Sequence, residues 1–92
     1  MDEATYRETV AAAGYNEPEI LIREANATNG SEPHTHDFGA SVLVLEGEIT
    51  VTTPDGPTTC RAGDTFSLGA NIEHTETIGP DGLRMLIARK PA

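Results

Sequence analysis

The sequence predicts an all-β fold, a small antiparallel β-barrel or jelly roll with a short N-terminal helix. Three observations lead there. From His34 onward, short strand-like runs alternate with turn signals every eight to twelve residues or so, the rhythm of a sandwich or barrel. No segment after Pro18 has the helical spacing of apolar residues that would suit a β-α-β crossover. The opening segment alone has that spacing and the terminal signals of a helix.

The helix is expected over 2–14. Acidic residues fill its first turn, alanines its second half, and Gly14 supplies a stop. Tyr6, Val10 and Ala13 recur at spacings of four and three, so one narrow apolar stripe should pack against the domain or a sister subunit. The barrel is expected over 20–89. "EILIREA" reads as a strand and "NATNGSEP" as a loop, its two glycosylation sequons being chance in a turn-rich stretch. There follow "ASVLVLE", a turn at Glu46-Gly47, "EITVTT", a turn "PDGP", "TTCR", a turn "AGD", "TFSL", the loop "GANIE", "HTETI", a turn "GPDG" and "LRMLIARK".

Ninety-two residues form one domain, with a core that must come from Val, Ile, Leu and Ala because Trp is absent and aromatics make up 4%. Fifteen acidic residues against six basic ones give a net charge of -9, which disfavours nucleic acid and anionic membrane surfaces as partners. Cys60 is the only cysteine, so no internal disulfide forms, and a cytoplasmic location is expected. No apolar run is long enough to span a bilayer, and the acidic start does not read as a signal peptide. Walker, dinucleotide-fingerprint, HExxH and CxxC motifs are missing, which removes several enzyme classes.

The chemistry is concentrated in "PHTHDFGASVLVLEGEI", residues 33–49. Residues i and i+2 of an extended chain share a face, so His34 and His36 can close on one ion. Even positions continue that face through Phe38, Ala40, Val42 and Val44, polar at one end and apolar at the other. Thirty-seven residues lie between His36 and His74, enough chain in a hairpin-rich sheet to return a strand beside the first. Three imidazoles would suit a divalent ion and leave positions for water or substrate. Spacing alone leaves metal binding and surface decoration both open.

Taken in order, the motifs resemble the cupin superfamily. Its first motif joins a glycine, HxH, a glutamate and a later glycine, which His34, His36 and Gly47 match. Its second runs from a glycine through a Pro-x-Gly turn to a histidine, which "AGDTFSLGANIEH" matches at Gly63, Asp64 and His74. The resemblance covers about residues 20 to 89 and implies fold more strongly than activity. The departures are specific. The usual glutamate ligand falls at Ala40, the Pro-x-Gly is Gly69-Ala70-Asn71, and the asparagine four residues beyond the histidine is Ile78. The site therefore resembles the three-histidine subset, to which some thiol and diketone dioxygenases belong.

The expected centre is one divalent transition-metal ion (zinc, nickel, iron, manganese or copper) on His34, His36 and His74. A pocket lined by Phe38, Ala40, Val42, Val44, Ile49, Val51, Phe66 and Leu68 would adjoin it. Glu76 shares the face of His74, as a further ligand or general base, or as a carboxylate at the barrel mouth or facing solvent. Asp37 points the other way by parity, Cys60 reads as a small apolar filler, and Asp64 as a turn acceptor. Leu43 and Leu45 make the same strand apolar on its second face, so a homodimer is expected to cover it. Two functions stand: a metal-dependent enzyme, of oxygenase or isomerase type, acting on a small anionic or oxygenated molecule, and a non-catalytic small-ligand or metal sensor. A metal that only stabilises the fold is a third reading.

Overall fold

The computed structural model describes residues 1–92 and contains helix α1 (Glu3–Ala12) and strands β1 (Glu19–Arg23), β2 (Phe38–Thr53), β3 (Gly56–Arg61), β4 (Thr65–Leu68) and β5 (Thr75–Pro91). All pairings are antiparallel, with the order β1-β5-β2-β3, and β4 pairs with the first half of β2. The all-β architecture is the expected one. The sheet curls without closing on itself, so β1 and β3 remain edges.

Two expected turns are bends inside long strands. Opposite Glu48, the four residues Gly79 to Gly82 bulge out of β5 between the pairs Gly47↔Leu83 and Ile49↔Ile78. Leu45 is a second bulge, between Val44↔Met85 and Glu46↔Arg84. Turn-forming residues thus produce a sharp bend rather than a chain reversal, because β2 and β5 pair on both sides of it. The bulge at Leu45 also shifts the inward parity from even (Val42, Val44) to odd (Ile49, Val51), all four of which are buried in one cluster. Gly47 has φ +79, and a β-carbon there would overlap the carbonyl oxygen of Gly82, itself at φ +77. Only glycine meets both demands at the crossing.

The sheet has a core on each face. On the inner face Val42, Val44, Ile49, Val51, Cys60, Ile78, Leu83 and Met85 pack together, with Leu21 and Phe66 against them. On the outer face α1 lays Tyr6 and Val10 over Leu43, Leu86 and Ala88. Asp2 caps the helix by accepting from the Thr5 amide at 2.7 Å, and Gly14 at φ +87 ends it. The Tyr6 hydroxyl donates to the buried Ser41 carbonyl at 2.7 Å, which pins the helix to β2. Ala13, expected in the stripe, is exposed as the C-cap.

Leu43 is therefore 1% exposed within one chain, and Leu45 packs partly buried beside it. The cover assigned to a second subunit is supplied by the protein's own helix. The physical reason is length: ten helical residues reach across the apolar half of the β2–β5 outer face.

Because Gly47 stands in a left-handed conformation against a backbone carbonyl, Gly47→Ala is expected to cost about 2–4 kcal/mol of stability in urea denaturation. A loss below about 0.5 kcal/mol, the scale of neutral surface changes, would show that the bend has room for a side chain.

Candidate metal centre

His34 and His74 are brought together by the backbone before any side chain acts. They form an isolated antiparallel bridge in which each amide donates to the other's carbonyl at 3.0 Å. Residues directly opposed in such a pair share a face, and their rings lie 4.2 Å apart between centroids. His36 is held differently. Its carbonyl accepts from the Asn71 amide at 2.7 Å, and Asn71 sits at φ +63. Asn71 occupies the place of the glycine in the Pro-x-Gly turn, and asparagine is among the few side chains that adopt this conformation readily. The "HTH" segment precedes β2, and its backbone pairs in ladder fashion through the bridge at His34.

The ring nitrogens have defined roles. Nδ1–H of His34 donates to the Glu32 carbonyl at 2.8 Å, and Nδ1–H of His74 donates to the Ile72 carbonyl at 2.9 Å. A carbonyl only accepts, so in each neutral imidazole the free lone pair lies on Nε2. Both Nε2 atoms face one carboxylate oxygen, Glu76 Oε2, at 3.0 Å from His34 and 3.3 Å from His74. Three lone-pair donors converging this closely repel one another unless protons or a cation lie between them. Ligand atoms of His34, His36, His74 and Glu76 all fall within 4.8 Å of one another, a set that could hold a metal ion. Backbone carbonyls fixing the outer nitrogens of two histidines is the support such ligands commonly have. These residues fit a divalent metal ion.

Glu76 shares the face of His74, and its carboxylate lies within the cluster while also lining the open cleft outside it. Its amide donates to the Gly30 carbonyl at 2.8 Å, so the 24–33 loop lies directly over the site. Asp37 is exposed, away from the cluster. Asp64 Oδ2 accepts from the Arg61 amide at 2.9 Å, closing its turn, and Cys60 is buried in the inner core, where burial raises its thiol pKa.

Beside the cluster is a cavity of about 40 Å³. Phe38, Ala40, Val42, Val51, Phe66 and Leu68 line it, and His36, His74 and Glu76 form its polar end. Val44 and Ile49 do not line it: both are 0% exposed, sealed in the core beyond the cavity floor. Met85 and Ile87 of β5 take that part of the wall. Their alternation in "LRMLIARK" was the available signal, but only the observed register, Val44↔Met85 and Val42↔Ile87, assigns them to the inner face.

His36 stacks on Phe38 at 4.9 Å between centroids. Its pKa is lowered, first by burial and then by the positive charge that His34 and His74 can carry. Residues 22–87 match the family model described as Cupin domain. Among solved structures, the chain is similar to a cupin-2 domain protein from Shewanella frigidimarina, with 19% identity and TM-score 0.63 over 83% of this chain and 70% of that one. It is similar to the acireductone dioxygenase of Bacillus anthracis with a cadmium ion in its active center, with 18% identity and TM-score 0.75 over 97% of this chain and 59% of that one. It is also similar to a protein from Neisseria meningitidis, with 19% identity and TM-score 0.61 over 90% of this chain and 94% of that one. These likenesses are of fold, and the chain spans less than two thirds of the length of several matched structures. No curated protein matches the chain at a significant level.

The depressed pKa of His36 sets a sign for the metal-free protein. Below the ordinary imidazole value of 6.5 the unfolded chain binds a proton that folded His36 resists. Stability is therefore expected to fall as pH drops through that value, read as a declining urea midpoint. His36→Asn should flatten the decline; an unchanged decline would place its origin elsewhere.

Proposed function

The chain belongs to the cupin-domain family, and from that premise we propose that it binds one divalent transition-metal ion and acts on a small anionic or oxygenated molecule. The observation that carries this reading is the convergence of two Nε2 lone pairs on Glu76 Oε2. The cadmium ion in the active center of the Bacillus anthracis dioxygenase supports it by likeness of fold. His34, His36, His74 and Glu76 are the proposed ligands. When bound, such an ion supplies a positive centre that polarises an oxygen ligand and lowers the pKa of water.

The chain's own residues supply the rest. Glu76 offsets one of the ion's two charges, which three imidazoles alone would leave in full. The apolar wall from Phe38 to Leu68 excludes water on one side, so a charge on a bound molecule is felt more strongly there. Three imidazoles with one carboxylate are compatible with zinc, nickel, iron, manganese or copper.

One feature favours the second reading, a non-catalytic sensor. Four protein ligands close a four-coordinate ion such as structural zinc, whereas an ion taking six keeps two positions open. The cytoplasmic location and the homodimer stay proposals, and a dimer would need another surface, such as the exposed Ile20 and Ile22 of β1.

Protein purified without tag or chelator is expected to carry about one transition-metal ion per chain by elemental analysis, as one cluster per chain implies. His34→Ala and His74→Ala should each lose most of it. Full content in the His74 variant would show that the bridged pair does not share an ion. Small carboxylates should perturb the visible spectrum of the cobalt-loaded protein. If none does, and Glu76→Gln lowers metal affinity as much as losing a histidine, the sphere is closed and the sensor reading replaces the enzyme.

A further inference from the structure

The cluster separates two unlike spaces. On its inner side is the apolar cavity of about 40 Å³. On its outer side is an open cleft of about 440 Å³ that no hydrophobic residue lines, walled by Arg23, Thr28, Asn29 and Glu32. His36 and Glu76 belong to both. A molecule bound at the ion therefore meets a dry wall on one side and a wet, polar one on the other.

Size and charge narrow its chemistry. One water-sized sphere needs roughly 10–15 Å³ by the same kind of measure, so the cavity holds about three such groups. That is a hydrocarbon tail of about three carbons. Ala40 faces this space at 8% exposure, opposite Leu68 in the register, and its single methyl group leaves the space open. On the polar side the charges are a divalent ion, Glu76, Arg23 and Glu32, which sum to a single positive charge. Arg23 uses one nitrogen on the Ile22 carbonyl at 3.1 Å, leaving other guanidinium N–H groups for a ligand. That balance favours a ligand with one negative charge, and two open positions on a six-coordinate ion favour one that chelates.

Resting on the metal-centre reading above, we infer that the molecule bound at this centre is a short-chain monocarboxylate with an adjacent oxygen, of the 2-oxo or 2-hydroxy acid class, its tail of about three carbons in the cavity beside Ala40. The carboxylate and its neighbouring oxygen sit on the ion, with the carboxylate toward Arg23. Neither end alone specifies the molecule. The cavity sets its length and the cleft its charge.

The test titrates straight-chain 2-oxo acids, from glyoxylate upward in tail length, into cobalt-loaded full-length protein and follows the visible spectrum. Metal content is measured first. Affinity is expected to rise about fourfold per methylene, the usual gain for burying one, and to stop rising beyond about three tail carbons. Ala40→Leu should keep the metal and lose the length-dependent gain. Should that variant not fold, Leu68→Ala opens the same cavity at its rim and should move the preferred length upward. Affinity independent of tail length, or still rising well beyond three carbons, in metal-loaded protein overturns this inference and leaves the metal centre standing. Protein that takes up no cobalt overturns the metal centre and this inference with it.

Discussion

The crossing of Gly47 over the Gly82 carbonyl is the constraint on which the rest of this structure depends. β2 and β5 pair along nearly their whole lengths, and a flat pair would hold its two ends far apart. The bend at Gly47, with the bulge of Gly79 to Gly82 opposite, folds each strand into two arms. One arm of β5 carries Glu76, with His74 just before it, and one arm of β2 carries Phe38, Ala40 and Val42. The curl lets both arms line a single space. The cluster is a consequence of the bend, although none of its four residues is near Gly47 in sequence.

Much of this was legible from the residues alone, and the losses have a common cause. Strand identity, the helix with Asp2 and Gly14 at its ends, and the shared face of His74 and Glu76 depend on neighbours within a few positions, which a sequence displays directly. The turns at Glu46-Gly47 and "GPDG" were misread because glycine and proline mark positive φ and broken ladders, and both a reversal and a bulge need those. Deciding between them requires knowing that the flanking arms pair with the same partner strand. Val44 and Ile49 were assigned to the cavity for the same reason. Their parity is inward, but depth along an inward face is set by register, as with Met85 and Ile87. The homodimer expectation starts from a correct observation, a strand apolar on both faces, but the cover over Leu43 comes from the chain's own helix. The Tyr6–Val10 stripe and the Leu43 face are each visible, but the Tyr6 hydroxyl bond to Ser41 that joins them is not.

The electrostatics of the centre explain how it tolerates alanine at position 40. A carboxylate beside a histidine cluster would offset part of a bound ion's charge, and it need not come from a fixed position on one strand. Here it comes from Glu76, whose carboxylate reaches both bridged histidines. Ala40 and Glu76 lie on different strands, and both line the same cavity. Moving the carboxylate to β5 therefore changes the shape of the site while keeping its charge. A glutamate projecting from position 40 would occupy the apolar side. Glu76 instead lies at the partition, shared with the polar cleft.

That relocation also couples the loop to the site. The Glu76 amide is bonded to the Gly30 carbonyl, and a β-carbon on Gly30, at φ +76, would stand 3.1 Å from Glu76 Oε2. The loop thus packs its backbone against the carboxylate that faces the histidines, while Glu32 in the same loop orients His34 through its carbonyl. A carboxylate donated by β2 would have been held by the sheet ladder alone. One donated beside this loop is held by a segment with little regular structure, whose own conformation depends on Gly30. The polar wall of the cleft, Thr28 and Asn29, belongs to that segment too. The geometry of the histidine–carboxylate cluster and the chemistry of the outer wall are therefore set by the same few residues, and a change in one of them alters both.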